Sequence, residues 1–166
     1  MRVLVSDTSV IVDLERGGFL DAAFALSFEL AVPDLLYRRE LVEYRGNRLV
    51  ELGLRVEELD ADGVKLALSY GQRAPKLSLP DAFALALAKS AGFVLLTGDA
   101  LLRDLATGEK VECHGVLWVL DQMFSEGVVL PEDLHAGLSA IARHPRCRLP
   151  KDEIASRLAR FERHRK

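Results

Sequence analysis

Two apolar runs in this 166-residue chain end on a carboxylate. RVLVSDTS runs apolar from Val3 to Val5 and meets Asp7, and FVLLTGDALLRDL surfaces through Thr97-Gly98 onto Asp99. A third acid, Asp81, follows Pro80 in SLPDAFALALAKSAG, and Glu40 lies in VPDLLYRREL. Each has an ordinary structural use. Asp7 and Asp99 can cap the helices that follow them. Ser78-x-x-Asp81 has the form of a capping box, and Glu40, with Glu43 as the alternative, fits a solvated helix face. Together they carry more weight. Several carboxylates brought to one place repel, raise one another's pKa and disfavour ionisation, unless a cation sits among them. An all-oxygen donor set selects Mg²⁺ or Mn²⁺ over Zn²⁺. One or two such ions can bridge a phosphodiester oxygen, lower the pKa of a bound water and stabilise the leaving alkoxide. Arg38 and Arg39 beside Glu40, and Arg103 one turn past Asp99, are candidates to orient backbone phosphates.

Position depends on the elements that carry these acids. Strand-type runs are read at Arg2–Val5, Leu30–Val32, Leu54–Leu59, Phe93–Thr97 and Val111–Cys113. Helical patterns lie between them: Val10–Arg16, Phe19–Phe28, Asp34–Tyr44, Asn47–Leu52, Ala61–Tyr70, the segment from Ser78 to Gly92, Ala100–Ala106 and Val116–Phe124. Strands alternating with helices predict a three-layer α/β/α domain around a central parallel five-stranded sheet. RVLV and FVLL are apolar throughout, as central strands covered on both faces should be, whereas LRVEEL is more polar and suits an edge. In such sheets the ligand crevice lies beyond the carboxyl ends of the strands, where strand order reverses. If RVLVS and FVLLT are neighbours, Asp7 and Asp99 meet there, and Asp81 opens the helix that feeds FVLLT.

After Gly127 the character changes. PEDLHAGLSAIARHP and LPKDEIASRLARF each begin with Pro plus acid, a helix-start pattern. The expected organisation is a domain over residues 1–124 and a C-terminal helical appendage over 125–166 docked on it. From Arg143 to Lys166 nine Lys/Arg stand against Asp152, Glu153 and Glu162, a local net of +6 in a chain whose net charge is −3. Such a run indicates either an anionic partner or a solvated final helix.

The totals exclude several classes. With 49% hydrophobic and 28% charged residues the chain is neither disordered nor a polycation that coats nucleic acid. No apolar run reaches the roughly 18 residues of a membrane span. MRVLVSDTS lacks the apolar length and cleavage site of a secretory signal, which predicts the cytoplasm. Two cysteines, Cys113 and Cys147, suit a reducing compartment. Cys113-His114 and His144-x-x-Cys147 lack the paired spacing of a zinc site. Neither a dinucleotide fingerprint nor a phosphate-binding loop is present. Trp118, among Val116, Leu117, Val119 and Leu120, reads as core rather than a base-stacking platform.

VSDTSV, VPDLLYRREL, SLPDAFALALAKSAG and FVLLTGDALLRDLA, in that order across residues 1–124, resemble the PIN-domain ribonucleases. The resemblance implies a parallel five-stranded α/β/α fold, Mg²⁺ or Mn²⁺ as cofactor and hydrolysis of single-stranded RNA. It implies Asp7, Glu40, Asp81 and Asp99 as metal ligands. Thr8 or Ser9 would neighbour the first Asp and Thr97 precede the last, with Asp104 as an auxiliary acid or a solvated helix residue. Many prokaryotic members are toxins held by a small antitoxin protein, but the helices after Gly127 exceed that minimal pattern. They resemble longer relatives whose tails supply an RNA-binding or a homodimer surface. Two alternatives stand beside a nuclease. One is a non-catalytic PIN-like module that binds RNA or protein. The other is a phosphohydrolase with an aspartyl nucleophile, disfavoured because Asp7-Thr8-Ser9 lacks a second Asp.

Overall fold

The computed structural model describes residues 1–165. Its centre is one sheet of five parallel strands: β1 (Arg2–Ser6), β2 (Phe28–Pro33), β3 (Arg55–Glu57), β4 (Val94–Leu96) and β5 (Cys113–His114), in the order β3-β2-β1-β4-β5. The two all-apolar strands are neighbours, with Val5 against Leu95 and Ser6 against Leu96. The polar strand β3 forms an edge. From β1 the chain builds outward first to β2 and β3 and later to β4 and β5, so strand order reverses beside β1.

Helices cover both faces, which is why the central strands need apolar residues at every position. Leu4, Leu30, Val32, Val94 and Leu96 face one core with α1 (Thr8–Arg16), α2 (Leu20–Ala23), α4 (Gly46–Leu52) and α8 (Val116–Glu126). Val5 and Leu95 face the other, with α5 (Ala61–Arg73), α6 (Leu79–Ala91) and α7 (Ala100–Gly108). The side-chain period of two in a strand divides adjacent residues between the two cores. The expected three-layer architecture is present.

Two expected helices differ. Phe19–Phe28 is helical only over α2, because Phe28 and Glu29 pair with Arg2 and Val3 as the start of β2. Asp34–Tyr44 begins as α3 (Asp34–Leu36) and widens into a π-turn over Tyr37–Leu41, where the Val42 N–H donates to the Tyr37 carbonyl at 2.9 Å. Such a turn holds one more residue than an α-turn and re-aims the side chains within it. Glu40 is one of them.

Residues beyond 125 continue α8 to Glu126 and then form α9 (Pro131–Arg143) and α10 (Lys151–Arg163). Leu134, Leu138 and Ile141 of α9, with Ile154 and Phe161 of α10, are buried in the same core as α1 and α8. Arg157 and Arg160 both bind Asp121 of α8, at 2.8 and 2.6 Å, and hold α10 down. Two of the tail's basic residues therefore serve the packing of α10. At the crossing of α9 with the end of α1, a Cβ on Gly137 would stand 2.6 Å from the Gly17 carbonyl oxygen and closer still to the Phe19 ring. The backbone cannot yield there. Gly137→Ala should lower stability by about 1–3 kcal/mol through overpacking, read as a reduced urea midpoint with unchanged slope.

Candidate functional site: an acidic cleft at the strand ends

Asp7 follows β1 and is only 2% exposed. Its Oδ1 accepts from the Val10 N–H at 3.0 Å, capping α1, and from the Ser9 hydroxyl at 2.8 Å. Its Oδ2 accepts from the Thr97 hydroxyl, itself fully buried at the end of β4. The Asp7 N–H donates to the Leu96 carbonyl at 2.9 Å. Burial pushes the carboxyl's pKa up, and the hydrogen bonds from Thr97, Val10 and Ser9 oppose the rise.

Asp99 caps α7 through its Oδ1, which accepts from the Leu102 N–H at 2.9 Å, while its own N–H donates to Thr97 Oγ1 at 3.0 Å. Asp81 opens α6 behind Ser78, whose hydroxyl accepts from the Asp81 N–H at 3.2 Å. Glu40 arrives from the π-turn, and its Oε1 accepts from the Thr8 hydroxyl at 2.8 Å. So the capping roles read from the sequence for Asp7, Asp99 and Ser78 are real, and they coexist with convergence. All four acids line one cleft of about 430 Å³. Their fields meet at Asp81, whose pKa is pushed up to about 6 by burial first and then by the charges of Asp7, Asp99 and Glu40.

The sequence matches the family model DUF3368, described as a PIN domain, over residues 3–163. The chain belongs to this PIN-domain family. The match spans the sheet and the C-terminal helices alike. Among solved structures, a PilT N-terminus domain protein from the hyperthermophilic archaeon Sulfolobus solfataricus P2 aligns with a TM-score of 0.50 and 12% identity. The alignment covers 73% of this chain and 92% of that one, and at that identity it speaks for the fold. No curated protein matches the chain. The PIN fold is generally a nuclease fold, and PIN domains generally use divalent metals.

The donor chemistry of this PIN domain suits such a metal. The set is all oxygen and anionic, and free lone pairs remain on Asp99 Oδ2, Glu40 Oε2 and one side of Asp7 Oδ2. Among the described residues no three Asp, Glu, His or Cys side chains stand close enough together to hold one ion. A cage is what Ca²⁺ requires. Mg²⁺ keeps several waters and takes only one or two carboxylates, and an open acidic cleft fits that habit.

Several cleft residues escaped the sequence reading. Asp13 and Arg16 line it and pair with each other at 3.5 Å. Ser9, Asp13 and Arg16 stand at i, i+4 and i+7, so the spacing that puts them on one face of α1 was readable. Arg146 and Arg148 also line the cleft, from the loop between α9 and α10. The Arg candidates chosen from the sequence lie elsewhere. Arg38 binds Asp34 at 3.2 Å, Arg39 does not line the cleft, and Arg103 lines an adjacent cavity. Asp104 is exposed on α7 and Glu43 lies outside the cleft lining. No helix among the described residues is long and apolar enough to cross a membrane.

A carboxyl whose pKa is higher folded than unfolded binds its proton more tightly in the folded state, so ionising it costs stability. For Asp81 that cost is absent below about pH 4, grows between pH 4 and 6, and is complete above. Asp81→Asn removes it. In EDTA the variant should be more stable than wild type by about 1–2 kcal/mol at pH 8, after discounting for solvent screening, and no more stable at pH 3.5. Urea midpoints at the two pH values check this.

Proposed function

We propose that this PIN domain is a Mg²⁺- or Mn²⁺-dependent ribonuclease that hydrolyses phosphodiester bonds of single-stranded RNA, leaving a 5′-phosphate and a 3′-hydroxyl. The observation that carries the reading is the field at Asp81: four acids from four separate segments share a cleft in which each ionised group opposes the others. Repulsion of that kind suits a cation. The bound ion would supply an activated water and neutralise charge on the scissile phosphate.

The chain's own residues divide the remaining work. Asp99 and Glu40 each hold one oxygen fixed by a protein donor and would offer the other to the ion. Asp81 would add a carboxylate whose burial and repulsion by its neighbours a cation would offset. Asp7 stands deepest, and with Oδ1 already saturated it contributes charge and a single lone pair on Oδ2. Thr97 and Ser9 fix its orientation. Arg146 and Arg148 stand on the cleft wall where backbone phosphates would pass.

Incubation of purified protein with labelled single-stranded RNA and Mn²⁺ should give products that are lost on chelation. Asp81→Asn should cut the rate by at least about 100-fold and remove the Mn²⁺-dependent rise in Tm seen for wild type. If wild type neither cleaves nor gains thermal stability from Mn²⁺, the fold serves as a non-catalytic binding module.

A further inference from the structure

A second cavity, of about 730 Å³, adjoins the acidic cleft at the carboxyl ends of β4 and β5. The two share Asp13, Gly98, Asp99, Arg148 and Leu149, so they adjoin, with Asp99 and Arg148 at the junction. The second part differs in chemistry. It is lined by His114 from β5 and Trp118 from α8, whose rings stack at 4.2 Å between centroids and 8° between planes. His114 is held by Glu112 at 2.8 Å, and Trp118 rests on Phe28 with centroids 5.5 Å apart. Both rings are only partly buried. The sequence reading placed Trp118 in the core; the structure leaves part of its ring on a cavity wall, because the backing from Phe28 covers only part of it. Arg103 lines the same cavity and Arg148 enters from the junction. Neither makes an ion pair among the described residues, whereas Arg157 beside them is bound to Asp121.

Partly exposed aromatic rings beside unpaired arginines, at the edge of a backbone-cleaving cleft, are the elements from which single-strand grooves are built: bases stack on the rings and cations follow the phosphates. We propose that this cavity is the base-stacking subsite for the RNA strand that crosses the acidic cleft. The His114–Trp118 pair is its platform, and Arg103 and Arg148 contact the flanking phosphates. The proposal rests on the ribonuclease reading for the identity of the strand, and it adds where the strand leaves the site. Stacking accepts any base, so the subsite selects single strands over duplexes rather than one sequence.

Trp118 is the chain's single tryptophan, so its emission reports on this cavity alone. The experiment titrates the full-length Asp81→Asn protein at pH 8 with a short single-stranded oligoribonucleotide, following Trp118 emission and RNA anisotropy together. Saturable quenching at the concentration where anisotropy rises is expected. An abasic ribose-phosphate oligomer of equal length should bind without quenching. His114→Ala should weaken RNA binding about 10-fold, and Arg148→Ala should lower the salt slope by about one phosphate contact. In the otherwise wild-type enzyme His114→Ala should raise KM and leave kcat little changed. RNA that binds without altering Trp118 emission, or an abasic oligomer that quenches equally, would overturn the subsite. Quenching by RNA that wild type never cleaves in Mn²⁺ would overturn the ribonuclease reading and leave the subsite standing. Cleavage by wild type without quenching does the reverse, and absence of any RNA binding removes both.

Discussion

A buried carboxylate fastens the two central strands together where they end. Asp7 lies beyond β1 and Thr97 beyond β4, and the register that sets Ser6 against Leu96 brings them opposite each other. An ionised carboxylate so buried survives only if its lone pairs are answered by donors. Here the Thr97 hydroxyl just past β4, together with the Ser9 hydroxyl and the Val10 N–H in the first turn of α1, answers them. The same contacts cap α1, align β1 with β4, and through Thr97 Oγ1 hold the Asp99 N–H. Deleting this carboxylate would disturb sheet, helix start and cleft at once. Strand pairing, capping and cleft geometry are thus one interaction seen from three sides.

The remaining acids are arranged around that fixed point with decreasing restraint. Asp99 keeps one oxygen on its cap, Glu40 keeps one on Thr8, and Asp81 stands at the start of α6 with its pKa raised by burial first and then by the other three acids. Arginines temper this charge without cancelling it. Arg16 is already committed to Asp13, whose pKa is itself raised by burial more than Arg16 lowers it. Arg146 and Arg148 also line the cleft, supplied by a loop between helices that the α8–α10 ion pairs and the α1–α9 packing hold in place. The C-terminal helices therefore bear on the cleft through position rather than through charge alone.

Much of this was legible. An apolar run uninterrupted by polar residues marks a strand covered on both faces, and two such strands had to lie together, which placed Asp7 and Asp99. Capping signatures gave the starts of α1, α6 and α7 because one side-chain oxygen answering one N–H is a local event. What the sequence hid was non-local. Nothing in DLLYRREL announces a π-turn, since the extra residue is accommodated by packing rather than by propensity, and Glu40 depends on it. Arg146 and Arg148 lie about 140 residues from Asp7 in a loop with no periodic pattern, and only the docking of α9 and α10 brings them to the cleft. Trp118 packs against the core as its neighbours do, but a single helix position can also reach a cavity wall while those around it are fully buried.

The gradation of restraint has a consequence for how the cleft would take up an ion. Among the described residues no three of the acids stand close enough to hold one ion, so uptake of an ion would draw on side chains that can still move. Asp7 cannot, because shifting it would break the capping of α1 and the link to β4 together. Asp99 can rotate only at the cost of its own cap, worth about 1 kcal/mol. Glu40 sits on an exposed turn with a long side chain, and Asp81 caps no helix, its side chain bonding only Ser78. Closure would then be carried mainly by Glu40 and Asp81 moving toward a rigid floor of Asp7 and Asp99. An ion that took only one or two of these carboxylates directly would keep room for water and for a passing phosphate, which a preformed cage would exclude.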